Sequence, residues 1–90
     1  MKYESVIEKL SQKEIVKLDD DFIIEYIGKS ENSNLIFRVT KKGKINKVMK
    51  KFFIYTDAFE KIDKSQFIKE LNYAMDQISE AYNKLLVKEN

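Results

Sequence analysis

"LIFRVTKKGKINKVMKKFFIY", residues 35–55, decides the fold. Leu35, Phe37 and Val39 alternate with Ile36, Arg38 and Thr40, the period-two pattern of a strand with one face buried. "KKGK" (41–44) reads as a tight turn in which Gly43 is free to take a positive φ. A second strand follows over about 45–56. Its Val48, Phe52 and Ile54 share a face with Lys50, while Met49, Phe53 and Tyr55 lie opposite. A bulge near Lys50–Lys51 would reconcile the two halves.

Working upstream, "KSENSN" (29–34) is a loop of turn-forming residues, and "FIIEYIG" (22–28) is another strand with Phe22, Ile24 and Tyr26 on one face. "DDD" (19–21) breaks the pattern, because short carboxylate side chains compete with backbone pairing and favour turns. "EIVKL" (14–18) reads as either a short strand or an extended connector. Tyr3, Val6, Ile7 and Leu10 carry the spacing of one helical face, which predicts a helix over about 2–12. Downstream, "TDAFEKIDKSQF" (56–67) leaves the sheet through a turn with a short helix at 57–62. Ile68, Leu71, Met75, Ile78, Tyr82 and Leu85 then alternate steps of three and four, widened by Phe67, Ala74 and Ala81. Asp63 or Ser65 would cap a helix over 65–87, roughly 34 Å long. Its end would overhang a strand of typical length, pack on the first helix, or meet another chain.

These elements predict an α+β fold as a single domain over 1–90. A short N-terminal helix, a three-stranded antiparallel meander and a long C-terminal helix pack as two layers, with one sheet face covered. A chain this short buries only about 60–65% of its unfolded surface. Its 43% apolar content is still enough for a core.

Charge is uneven. The chain is +2 overall, but residues 41–51 hold six lysines and no acid, whereas 1–40 and 52–90 are each −2. The first reading of this cluster is a solvated hairpin whose lysines guard an edge strand against aggregation. The second is a contact with an anionic surface. Lysine, a point charge without arginine's planar fork, suits contact without base reading. The candidate surface is Arg38, Lys41, Lys42, Lys44, Lys47 and Lys50.

Several chemistries find no support in the residues. There is no Cys for disulfides or thiolate sites and no His for the usual general base or metal ligand. Gly28 and Gly43 are the only glycines, too few for a nucleotide-binding loop. The "DDD" run lacks the spacing, central Gly and terminal Glu of a calcium loop, so a solvated turn is favoured. The expectation is a binder that is not an enzyme and carries no cofactor or metal. With no long apolar run and no signal-like N-terminus, it is expected in the cytoplasm and off the membrane.

At "VIEKLSQKEIVKL" (6–18) and "LIFRVTKKGK" (35–44) the chain resembles the small Listeria prophage anti-CRISPR proteins that block the type II CRISPR nuclease. These share the helix, three-stranded sheet and helix order, and an Arg-Val pair before a glycine turn, as in Arg38-Val39 and Gly43. The resemblance covers the first half of the chain. It implies a small phage-borne, anti-defence inhibitor. That family presents DNA-mimicking carboxylates, and a lysine-rich turn stands in their place here, so those contacts are not carried over. The element order is also that of double-stranded-RNA-binding domains. Their Gly-Lys-rich loop before the last helix is replaced here by the mixed-charge, glycine-free "TDAFEKIDKSQF". The expected partner is a host protein or nucleoprotein complex with an acidic surface. Nonspecific RNA or DNA binding through the same lysines, and a homodimer through the 68–85 stripe, are the alternatives to a monomeric protein binder.

Overall fold

The computed structural model describes residues 2–19, 21–43 and 47–89. In chain order the elements are α1 (Tyr3–Ser11), β1 (Val16–Lys17), β2 (Phe22–Lys29), β3 (Leu35–Lys42), β4 (Lys47–Ile54), a 3₁₀ turn (Phe59–Lys61) and α2 (Lys64–Glu89). The four strands form one antiparallel sheet in the order β1-β2-β3-β4. The expected α+β architecture is present, and the meander is one strand longer than expected. The added strand is the Val16–Lys17 pair, which sets Val16 opposite Ile24. Of the two readings of 14–18, a short strand or an extended connector, the strand is the one present.

Both helices cover the same face. Val6 and Leu10 of α1 and Phe67, Ala74 and Ile78 of α2 share a core with Val16, Ile24, Leu35, Phe37, Val39, Phe52 and Ile54. Phe37 is its hub. Its ring stands within 5.3–5.9 Å, centroid to centroid, of Tyr26, Phe52, Phe59 and Phe67. Each such ring pair adds roughly 0.5–1.5 kcal/mol beyond burial. The α2 stripe is rotated slightly from the expected one. Phe67, Ala74, Ile78 and Tyr82 are buried, Ile68 is 39% exposed and Ala81 is exposed. Asp63 caps the helix, its Oδ1 accepting the Gln66 N–H at 3.1 Å.

The turns follow local chemistry. Asp19 Oδ1 accepts the N–H groups of Asp21 and Phe22, which closes the turn into β2. Ser30 Oγ accepts the Asn34 N–H, while Ser33 takes a φ of 63°. The expected bulge at Lys50–Lys51 is absent, because β3 and β4 stay in unbroken register from Leu35–Ile54 to Lys42–Lys47. Lys50 keeps its place on the helix-facing side and is exposed. At an edge strand, a long stem can carry its ammonium out past the helix to water, so no backbone correction is needed. The bulge lies instead at Ile27, between Tyr26 and Gly28, where Gly28 takes a φ of +135°. Gly43 was expected to supply a positive φ and does not. Its need for glycine is steric, since a Cβ there would overlap the ring of Tyr82.

At 26 residues, α2 is about 39 Å long, against about 27 Å for an eight-residue strand. Beyond Tyr82, which lies against Gly43 just after the end of β3, the helix therefore runs past the sheet. Among the described residues, no helix is long and apolar enough to cross a membrane.

Candidate functional site

Antiparallel register sorts the strand side chains cleanly. The face away from the helices carries Lys17, Ile23, Glu25, Ile36, Arg38, Thr40, Lys42, Lys47, Met49, Lys51 and Phe53. The core residues that the helices cover lie on the other face; on this one Thr40 is buried, 1% exposed, and Ile23, Glu25, Ile36 and Arg38 are half-buried. Rows run across the strands: Lys17–Ile23–Thr40–Met49, then Glu25–Arg38–Lys51, with Ile36–Phe53 at one end and Lys42–Lys47 at the other. The face is therefore mixed. Met49 is 49% and Phe53 42% exposed, set among cations.

The electrostatics are lopsided. Glu25 is the one carboxylate that the strands place on this face. Arg38 donates from Nε and Nη2 to Glu25 Oε1, at 2.9 and 2.6 Å. Both side chains are partly buried, so this pair is pinned more firmly than a fully exposed one. Beyond it, β3 and β4 put cation directly opposite cation twice, at Arg38–Lys51 and at Lys42–Lys47. Like charges opposite one another in a ladder are unfavourable, and Glu25 offsets the first of these pairs.

The candidate residues divide between the two faces. Arg38, Lys42 and Lys47 lie on the open face. Lys44 lies outside the described residues. Lys50 stands on the helix-facing side at the β4 edge. Lys41 points to the helix-facing side, away from the open face. Its side chain is only 16% exposed, and its Nζ pairs with Asp21 Oδ2 at 3.3 Å. The same ammonium sits 4.8 Å from the Phe22 ring and 5.3 Å from the Tyr82 ring. It is a structural lysine, its stem under α2 and its charge held by the protein's own groups.

Sequence reasoning missed Lys51, Lys17, Met49 and Phe53 as members of the surface. For Lys51 the signal was present, since it shares parity with Met49 and Phe53. For Lys17 the sequence offered only the strand alternative for 14–18, and it reaches the face through the β1–β2 pairing.

Among the described residues, no group of three or more acidic side chains is placed to hold a metal ion. Among the described residues one titratable group is clearly shifted. Burial raises the Tyr3 phenol above its ordinary value, helped by the negative charges of Asp63 and Glu4. It packs edge-on against Phe67, 5.8 Å between centroids, so the shift belongs to the core and not to a reactive centre. The fold and this surface define a small helix-backed sheet with one open, cationic and partly apolar face. No protein-family model, curated protein or solved structure matches the chain.

Proposed function

We propose that this is a small non-enzymatic binding protein that lays its open sheet face on an acidic surface of a larger host complex. In its sharper form the reading is an anti-defence accessory of a phage or mobile element, which works by occupying that surface. One observation carries it: two directly opposed cation pairs on a face with exposed Met49 and Phe53 and a single carboxylate. Opposed cations steer association toward anions, and the apolar side chains give the encounter a surface to hold. The likeness of residues 6–18 and 35–44 to small anti-CRISPR proteins supports the anti-defence form.

The test uses tagged protein to capture the complex from host lysate, beside a variant carrying Lys42→Glu and Lys51→Glu. A control carries Lys61→Glu and Lys69→Glu, away from the face. The open-face variant should lose the captured species, and the control should keep it. Equal capture by both variants would place the docking surface elsewhere. A plasmid-interference assay with a type II CRISPR nuclease tests the anti-defence form directly, and undiminished cleavage removes it.

The exposed Phe53 ring among cations also favours a second reading, a platform on which nucleic-acid bases stack while lysines track the backbone. Titration with duplex and single-stranded oligonucleotides at two salt concentrations separates the two. Binding that weakens steeply with salt moves the function to nucleic acid.

A further inference from the structure

β4 is the last strand of the sheet, so among the described residues one side of its eight-residue backbone has no ladder partner. Sheets usually blunt such an edge with a short strand, a bulge, a proline, charged side chains such as lysine, or a cover. The opposite edge does so, since β1 has two residues. Of these devices β4 has only its lysines, Lys47, Lys50 and Lys51, which repel a second cationic strand and not an acidic one. Its register with β3 is unbroken, the chain has no proline, and α2 packs against its face.

The surroundings of this edge differ from the rest of the surface. Two shallow depressions, about 140 and 210 Å³, run along the seam between β4 and α2. The first is bordered by Lys50, Lys51, Phe53, Tyr55 and Tyr73, with Glu70 as its one carboxylate, and the second by Met49, Lys50 and Gln77. Four large apolar side chains stand exposed beside them: Met49 at 49%, Phe53 at 42%, Tyr55 at 74% and Tyr73 at 59%. The strand carries Lys47, Lys50 and Lys51 and no acid.

We propose that the free edge of β4 captures an extended acidic–apolar segment of a partner protein as a fifth strand. Backbone bonds would supply the ladder, and side chains of alternating direction would reach the two flanks. On the helix side they meet Lys50 and the Tyr73 ring. On the open side they meet Met49, Lys51 and Phe53. Charge selects the occupant. Among the described residues Lys50 and Lys51 make no ion pair, so carboxylates on both faces of the incoming strand are matched. A second copy of this chain is matched badly, because two-fold pairing centred on residues 50–51 sets lysine against lysine. A polynucleotide has no peptide groups to complete the ladder. The inference goes beyond the open-face reading and stands without it.

The test probe is a fluorescent octapeptide of alternating Glu and Val, with an analogue N-methylated at alternate residues. Binding to the full chain is read by anisotropy, and amide hydrogen exchange locates it. The Glu-Val peptide should bind saturably and slow exchange along β4. The N-methylated analogue should not bind. Lys50→Glu with Lys51→Glu should weaken binding roughly tenfold or more. Lys17→Glu with Lys42→Glu, on the open face away from this edge, should leave peptide binding intact even where it abolishes host capture. Equal binding of the N-methylated analogue, slowed exchange confined to residues outside β4, or no binding at all would overturn the proposal. So would mass measurements showing two chains joined through β4, or displacement of the peptide by an oligothymidylate with no strand protection.

Discussion

Replacing Lys41 by Met asks whether this lysine belongs to the fold or to the surface. Met keeps an apolar stem of similar length and removes only the ammonium. The loss includes the 3.3 Å pair with Asp21, whose side chain is 58% exposed, so that contact contributes roughly 0.2–1 kcal/mol. It also includes the cation–π contacts at 4.8 and 5.3 Å to Phe22 and Tyr82, at about 0.5–1 kcal/mol each. These share one ammonium and are not additive, and removing its desolvation cost returns part of the sum. A net loss of about 1–2 kcal/mol follows. For a domain of this size that lowers Tm by roughly 4–16 °C. Lys42→Met, one position along on the exposed open face, should stay within about 0.5 kcal/mol of the parent. Thermal and urea unfolding followed by far-ultraviolet circular dichroism measure both. High salt should narrow the gap only in part, because the ring contacts are less screened than the ion pair. Equal transition midpoints for the two variants would refute the structural role of Lys41. The result also governs how charge-reversal experiments are read, since Lys41→Glu would unsettle the fold before it tested any partner.

Phe37→Ala removes the hub ring from a fully buried site touched by four aromatic neighbours. It should cost about 3–5 kcal/mol, enough to leave a chain of this size largely unfolded by circular dichroism at ambient temperature. Gly28→Ala places a Cβ on a backbone with φ of +135° in open space. The cost is conformational, about 1–3 kcal/mol, and chemical denaturation should show it, with the Gly28→Asn variant falling between. Tyr3→Phe should flatten the alkaline limb of the stability profile. The neutral phenol is favoured in the folded state, so its contribution is complete below the ordinary phenol pKa of 10.0 and fades as pH climbs through the higher folded value. Urea titrations of parent and variant at a series of alkaline pH values measure this.

The elements were legible where each carried a period of its own. Phe22, Ile24 and Tyr26, then Leu35, Phe37 and Val39, alternate over enough residues to mark strands and the face they bury, and the heptad-like spacing after Asp63 marks α2. Asp19 and Ser30 announced their turns because a short polar side chain satisfies its own nearby backbone. Composition also located the cationic segment, since charge density is a local property of the chain. Tertiary structure decided which side of the sheet each lysine reaches. Lys41 and Lys42 are adjacent in sequence, yet one lies beneath α2 against Asp21, Phe22 and Tyr82 while the other faces outward. Their difference comes from the parity that β3 acquires once Phe37 and Val39 turn toward the helices. The opposed cation pairs at Arg38–Lys51 and Lys42–Lys47, the arrival of Lys17 beside Ile23, and the unpaired β4 edge beside Tyr73 are all products of register. Register joins residues far apart in the chain, and no local pattern of side chains encodes it.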